Sequence, residues 1–443
     1  MAHDFGIMKR RAFLQTAAAG VVAPQIVPSH VFGANDKINL GVIGCGGRGM
    51  QVMNNFLHID DVRVVAVCDV DSHHYREHPT RTGKPLGLEP AKLNVEAHYG
   101  GNFNCGATED FREICARKDL DAMLVATPDH WHALATLEAL KNRLDVYCEK
   151  PVTHKFREGQ QVVEAVANQK AIFQVGSQQR SAREFQKAVT LVRNGVLGSV
   201  KKVEVGLPTG YKNMASSMTP EEPPAQLDYN FWCGPAEVLP YMRARHHRWW
   251  RGHTAYGGGA LMDFIGHHND IAHWGLGLDT SGPVSVISKG WKPTPFDCYD
   301  TPADYTIHCE YPGGIDWTIG SGLKGGTKWI GENGSWIWVN RGKLGASNPA
   351  WLADDFKIEG DFRIPPGPNH QRNFVDSIRS RIPCLCEAET GHRSITPGHL
   401  GYVSQKLGGR ELKWDAKAET IIGDDEAQKL LTKLDYRDWE TTA

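Results

Sequence analysis

Asp263, His267 and Asp270 lie four and three residues apart in Gly257-Gly258-Gly259-Ala260-Leu261-Met262-Asp263-Phe264-Ile265-Gly266-His267-His268-Asn269-Asp270-Ile271-Ala272-His273-Trp274. Drawn as a helix, Asp263, His267, Asp270 and Trp274 share one face, and Leu261, Ile265, His268 and Ala272 share another. A titratable face behind three glycines suits a substrate site that the backbone approaches closely. His267, of a type with an unperturbed pKa of about 6.5, is the natural acceptor of a hydroxyl proton. A second group stands far upstream, in Glu149-Lys150-Pro151. A lysine before proline is held extended, and at a strand end its ammonium can stabilise a developing alkoxide. Read alone it is surface charge; the strand-end setting gives it weight. Burial that lowered its pKa would let Lys150 take the proton role instead. A metal centre at His267, His268, Asp270 and His273 is not expected. Adjacent histidines point about 100° apart on a helix, His273 lies four residues from neither, and no H-E-x-x-H pattern exists.

Between Tyr241 and Trp250 the chain crowds Arg243, Arg245, His246, His247, Arg248, Trp249 and Trp250 together. Stacking aromatics beside donors suit sugar rings and hydroxyls, so Arg248, Trp249 and Asp270 are the candidate substrate contacts. A structural aromatic anchor beneath a loop is an equally good explanation of the cluster.

These groups need elements to position them. Ile38 to Ile43 is a short apolar run of strand type, followed by Gly44-Cys45-Gly46-Gly47-Arg48-Gly49 and a helical stretch from Met50 to Leu57. G-x-G-x-x-G between a strand and a helix is a dinucleotide-binding fingerprint. Gly44 allows the tight turn, Gly46 lets a pyrophosphate approach the backbone, and Gly49 permits close helix–strand packing. Cys45, Gly47 and Arg48 belong to the same loop. The next strand, Val62 to Cys68, ends in Asp69, twenty residues beyond Gly49. A carboxylate there accepts from a ribose 2′-OH and repels a 2′-phosphate, which favours NAD. Further strands end at Thr127-Pro128-Asp129-His130-Trp131-His132 and at Glu149-Lys150, and helix and strand patterns continue at Phe156–Gln169 and Ala171–Val175. This alternation predicts a parallel sheet with Asp69, Thr127 and Lys150 around one crevice at its carboxyl edge.

Composition bounds the rest. A chain of 443 residues, 41% hydrophobic and 23% charged, is long enough for two globular domains. Forty-nine Lys and Arg against 51 Asp and Glu, a net charge of -2, argue against a nucleic-acid partner. No apolar run approaches the ~20 residues that span a bilayer, so no stable membrane insertion is expected. Arg10-Arg11 ahead of a weakly apolar stretch, Thr16 to Ala23, reads as a twin-arginine export signal over residues 1–35, hence a periplasmic or otherwise exported protein. That route carries folded proteins, so the ten cysteines need not form a disulfide scaffold, and their spacing does not suggest one.

Gly44-x-Gly46-x-x-Gly49, Asp69, Thr127-Pro128-Asp129-x-x-His132, Glu149-Lys150-Pro151 and Gly259-x-x-x-Asp263-x-x-x-His267-x-x-Asp270 together resemble the Gfo/Idh/MocA oxidoreductases, the family of glucose–fructose oxidoreductase and inositol dehydrogenase. The resemblance implies an α/β protein: a Rossmann domain at 36–152 and a substrate-binding α/β domain at 153–443 with a large, mostly antiparallel open sheet, often used for homo-oligomers. Carried over residue by residue, it makes Lys150, Asp263 and His267 the catalytic set. It puts NAD on the glycine loop, Asp69, Thr127, Pro128, His132, Glu149 and Lys150. The expected reaction is hydride transfer between a secondary alcohol of a sugar or polyol and a tightly held nicotinamide. NAD-assisted glycoside cleavage and a non-catalytic sugar-binding regulator are the alternatives.

Overall fold

The computed structural model describes residues 37–75, 83–211, 216–364 and 369–438. The expected export signal lies outside them. Eight strands open the chain: β1 (Ile38–Ile43), β2 (Val62–Cys68), the short pair β3 (His74–Tyr75) and β4 (Pro85–Leu86), β5 (Gly106–Thr108), β6 (Ala122–Val125), β7 (Asp145–Cys148) and β8 (Phe173–Val175). Six of them form a parallel sheet in the order β5-β2-β1-β6-β7-β8. With its strands counted in sequence this is 3-2-1-4-5-6, the doubly wound order whose crevice receives dinucleotides. Helices α1 (Gly47–Leu57), α2 (Leu88–Tyr99), α3 (Phe111–Cys115), α4 (Asp129–Lys141) and α5 (Phe156–Gln169) connect them. β6 and β7 are buried along their whole length, as parallel strands covered on both faces must be.

After α6 (Arg183–Arg193), β9 (Val200–Gly206), α7 (Tyr229–Cys233) and α8 (Gly259–Leu276), the chain builds β10 (Ser285–Pro293), β11 (Pro302–Tyr311), β12 (Ile315–Gly320), β13 (Gly326–Gly331), β14 (Trp336–Asn340) and β15 (Lys343–Ala346). It ends with α9 (His370–Ser380), α10 (Ala388–Lys406), β16 (Leu412–Asp415), β17 (Thr420–Ile421) and α11 (Asp425–Thr432). Nine of these strands form one sheet, β15-β14-β13-β9-β12-β11-β10-β16-β17, antiparallel except between β9 and β12. The expected α/β class and open antiparallel sheet are both present. The division expected at residue 152 falls inside the first sheet, because β8 pairs with β7 and carries that sheet on to Val175. The late helix α9 also returns to it: Phe374 packs edge-on against Phe56 and Tyr147, and Arg381 pairs with Asp145 at 2.6 Å.

α8 is the element that matters for chemistry, and it is buried on nearly every side. Four hydrogen bonds fix it on the second sheet. Trp317 Nε1 donates to Asn269 Oδ1 (2.9 Å), and Thr327 Oγ1 donates to the His268 carbonyl (2.7 Å). Trp329 Nε1 donates to the Ala272 carbonyl (3.3 Å), and His273 Nε2 meets the Tyr311 hydroxyl (2.7 Å). Asn269 Nδ2 donates to the Ser394 carbonyl on α10 (2.7 Å), so the helix is also held by the helix that packs beside it on the same sheet. A polar, glycine-led helix thus gains a fixed rotation about its axis, and its first turns face the first sheet.

Candidate active site

A cavity of about 760 Å³ opens at the carboxyl ends of β1, β2, β6 and β7. Across it stand the first turns of α8, a tight helical turn at His247–Gly252, Tyr211, and Arg341 from the β14–β15 hairpin.

One end is built for a phosphate-bearing cofactor. Gly44 turns the chain at φ +91°, and a Cβ on Gly46 would meet nothing within 4 Å, so the loop leaves open space above its backbone. α1 starts directly behind it with no side chain capping its first amides, and such free N–H groups attract an anion. Asp69 closes the loop from the neighbouring strand, accepting from the amides of Cys45 (2.7 Å) and Asp71 (3.0 Å). Each carboxylate oxygen has further lone pairs, leaving it able to accept from a ribose hydroxyl as well. Arg48 reaches over to Glu149 at 2.9 Å. Among the described residues, six buried polar atoms of the cavity-lining residues lack a hydrogen-bond partner: Arg48 Nε, His74 Nδ1 and Arg251 Nε stand in ion pairs, while Thr127 Oγ1, Glu149 Oε2 and His267 Nδ1 have neither kind of partner. Orphaned polar atoms in a wall are costly unless a ligand meets them, so the residues fit a dinucleotide.

The other end carries the titratable groups. Lys150 Nζ donates to Asp263 twice, to the carboxylate Oδ1 at 2.6 Å and to the backbone carbonyl at 2.9 Å. An ammonium has three donors, so one remains for a ligand. Arg251 meets the same Oδ1 at 3.2 Å and lies over the Trp250 ring, 4.1 Å from its centroid. Burial works to raise the Asp263 carboxyl, but Lys150 and Arg251 outweigh it and hold the group well below the usual carboxylate range. His267 is lowered as well, which for an imidazole favours the uncharged form. Burial first, then the charges of Lys150 and Arg341, push it well below its ordinary value, so its ring is neutral and able to accept a proton. The Gln179 amide, oriented to satisfy both neighbours, donates to the His267 carbonyl (2.8 Å) and accepts from Arg341 Nε (3.1 Å).

Asp71, His74 and His247 bring three metal-type ligand atoms within 4.8 Å at the rim. His74 Nδ1 and His247 Nε2 stand 3.3 and 3.1 Å from the same oxygen of Asp71. Their rings, however, are stacked at 3.5 Å and 17°. An imidazole lone pair lies in the ring plane, so two near-parallel rings cannot both aim at one ion about 2 Å away. The group is a hydrogen-bonded clamp between the β2 end and the His247 turn.

Residues 38–177 match a family model described as the oxidoreductase family, NAD-binding Rossmann fold. Residues 181–441 match the C-terminal alpha/beta domain of the same oxidoreductase family. The chain belongs to the Gfo/Idh/MocA oxidoreductases. Among curated relatives, a glycosyl hydrolase family 109 protein of Stenotrophomonas maltophilia is 26% identical over 202 residues, 45% of this chain and 42% of that protein. The alignment thus spans less than half of the relative's length. Two solved structures share the fold. The WlbA dehydrogenase of Bordetella pertussis, in complex with NADH and UDP-GlcNAcA, superposes with a TM-score of 0.60 at 18% identity, over 86% of this chain and 99% of that one. The aldose-aldose oxidoreductase of Caulobacter crescentus, complexed with glycerol, gives 0.59 at 17% identity, over 85% and 99%.

Within this Gfo/Idh/MocA chain the expected site residues separate by position. Gly44, Gly46, Gly47, Arg48, Asp69, Thr127, Pro128, His132, Glu149, Lys150, Arg248, Asp263 and His267 all line the cavity. Cys45 does not; its thiol is in the core and only its amide serves the loop. Gly49 packs beneath Gly44. His132 lines the cavity with its ring between the Pro151 (2.6 Å) and Thr127 (3.0 Å) carbonyls, and its one N–H donates to one of these two strand ends. Two expected substrate contacts are corrected. Trp249 is buried behind the wall against Tyr211. Asp270 is wholly buried and bound by Arg180 through two 2.8 Å hydrogen bonds. Tyr211, Arg251 and Arg341 also line the cavity without a site role assigned from sequence, as does Asp129, quoted there only within Thr127-Pro128-Asp129-x-x-His132. All ten cysteines are free thiols. No helix among the described residues is long and apolar enough to cross a membrane.

The place of Asp270 gives a clean expectation. Asp270→Asn leaves Arg180, 2% exposed, with only the half-exposed Asp279 as a charged partner. Breaking a buried pair costs about 3–5 kcal/mol. Denaturant unfolding should show a loss of that order, with the turnover of the remaining folded protein little changed; a turnover defect without a stability defect would return Asp270 to the site.

Proposed function

We propose that this protein transfers hydride between a secondary alcohol of a carbohydrate or polyol and NAD held in the cavity. The observation that carries the proposal is that one cavity wall joins the glycine loop to Lys150, Asp263 and a neutral His267, with orphaned polar atoms on Thr127, Glu149 and His267. The glycine loop, the α1 amides, Arg48 and Asp69 would hold the cofactor, and NAD when bound supplies the hydride acceptor. Lys150, anchored twice by Asp263, offers its third N–H to the substrate oxygen and stabilises negative charge developing there. His267 takes the hydroxyl proton. Asp263 keeps Lys150 and Arg251 in place. Trp250, with Arg251 across it, and Tyr211 form the aromatic wall that a sugar ring stacks on.

Export through the twin-arginine route is part of the same proposal, because a compartment without free NAD demands that the cofactor travel inside the folded protein. The purified protein, denatured and assayed, is expected to release about one NAD(H) per chain. An empty protein that binds added NAD weakly would overturn captive-cofactor turnover.

A second reading is favoured by the likeness to the glycosyl hydrolase family 109 protein. Here oxidation of a ring carbon is temporary, a glycosidic bond breaks by elimination, and the cofactor ends as it began. Release of free sugar from a glycoside, with no net change in nicotinamide absorbance, distinguishes this outcome from net oxidation.

A further inference from the structure

A dehydrogenase needs one group to take the hydroxyl proton. This cavity contains a second proton-holding side chain that hydride transfer does not use. Asp129, the first residue of α4, is 3% exposed and lines the same wall as Lys150, Asp263 and His267. Its carboxyl lies against Gly257, where a Cβ would come within 3.1 Å of Oδ2 and 2.7 Å of the Trp250 ring. The groups facing it are Arg251 from the turn, Lys150 from the β7 end, Asp263 on α8, Glu158 on α5 and Tyr211. Burial pushes the Asp129 carboxyl up to about 8 against the opposing charge of Arg251. Asp263, by contrast, is held ionised. Two carboxyl groups in one cavity driven to opposite protonation states is the arrangement that separates an acid from a charge-stabilising group.

We propose that Asp129 is the acid that protonates the leaving oxygen when this site cleaves a glycoside bearing a ring ketone β to that oxygen. The inference rests on the cleavage reading above. His267, having released the hydroxyl proton of the oxidation step to solvent, takes the proton from the carbon between the ketone and the anomeric carbon; the closing reduction draws one proton back from solvent. The freed pair forms a carbon–carbon double bond, the anomeric C–O bond breaks, and its pair goes to the leaving oxygen, which receives the proton of Asp129. An alcohol departs and an unsaturated ketone stays. Water then adds across the double bond in the reverse sense: its proton returns to Asp129, its hydroxide bonds to the anomeric carbon, and His267 gives its proton back to the neighbouring carbon. The sum is keto-glycoside plus water giving sugar ketone plus alcohol, with both residues restored and no electrons consumed.

The test compares the holoenzyme and its Asp129→Asn variant on paired methyl and para-nitrophenyl hexosides and hexosaminides. An alkoxide leaves poorly unless protonated, whereas nitrophenolate leaves unaided. The variant should lose about 10²–10⁴-fold on the methyl glycoside and a far smaller factor on its nitrophenyl partner. The wild-type rate on the methyl glycoside should fall as pH rises through about 8, where Asp129 loses its proton, and the nitrophenyl rate should not. NAD content of the variant reports whether it has folded; if it has not, the two wild-type pH profiles decide. Equal losses on both glycosides, or matching pH profiles, overturn the role of Asp129 while leaving cleavage standing. A wild-type holoenzyme that cleaves neither member of any pair overturns the cleavage reading and the role of Asp129 with it.

Discussion

Replacing Lys150 by methionine should lower turnover by about 10²–10³-fold or more, the loss that follows removal of one preorganised donor to a developing oxyanion, while the protein still carries NAD. The argument starts from where the lysine stands. It follows β7 directly, so its backbone is fixed by the first sheet, and its ammonium crosses to α8 on the second. Two donors are spent on Asp263 and the side chain is only 10% exposed, so the remaining donor sits in a place from which water is largely excluded. Charge stabilisation there is worth more than in water. Methionine keeps about the same length and the apolar stem and removes the charge together with its N–H donors. It leaves Asp263 ionised beside Arg251 alone, at 3.2 Å, so the carboxyl should titrate higher than in the native protein. Arginine at 150 should not rescue, because a longer, planar guanidinium cannot take the place of a compact ammonium that bridges one carboxylate oxygen and the backbone carbonyl of the same residue. Single-turnover reduction of bound NAD by an accepted polyol or sugar, read against NAD content, checks this. Turnover within a few-fold of wild type would remove Lys150 from the chemistry.

How far the sequence foretold this site depends on the range of the interaction. The glycine loop, Asp69 and the strand ends were legible because each is a local motif tied to one turn of chain. The pairing of Lys150 with Asp263 spans 113 residues and depends on how two sheets pack, which no spacing encodes. Asp270 shows the limit of helical periodicity. It does share a face with Asp263 and His267, but the cavity covers only the first turns of α8; farther along, the same face meets Arg180, ninety residues upstream. Trp249 shows another limit. The turn His247–Gly252 has three residues per turn, so positions three apart share a side. His247 and Trp250 face the cavity, as do Arg248 and Arg251, and Trp249 turns away on the side it shares with Gly252. A run of arginines and tryptophans does not reveal which of them its helix type will present. Asp129 was visible within Thr127-Pro128-Asp129, but an acid at the first position of a helix reads as a complement to the helix dipole. Its burial is a tertiary fact.

Gly49→Ala should abolish retention of NAD, and the contrast with Gly46→Ala shows why. A methyl on Gly49 would lie 1.8 Å from the Gly44 carbonyl oxygen and 2.9 Å from its carbon. Both are backbone atoms in the tightest part of the loop, where Gly44 holds φ +91° and its amide donates to the Cys68 carbonyl at 2.9 Å. The loop can relieve the clash only by lifting away from β2 and α1, which moves the amides that would hold the pyrophosphate. Overpacking of this kind costs about 1–3 kcal/mol or more in stability, and the displaced loop also loses its anion site. Gly46 is different. A methyl there meets nothing within 4 Å and the residue sits at an ordinary φ of -71°, so the apoprotein should fold with unchanged stability. The methyl instead projects into the space a pyrophosphate needs, and NAD affinity should fall on that ground alone. Thermal unfolding of the NAD-free proteins, alongside NAD content after purification, separates the two: Gly49→Ala loses both stability and cofactor, Gly46→Ala only cofactor. If Gly46→Ala retained full NAD, the open space over the loop would not be where the dinucleotide lies, and the orphaned atoms of Thr127, Glu149 and His267 would have to be met by some other ligand.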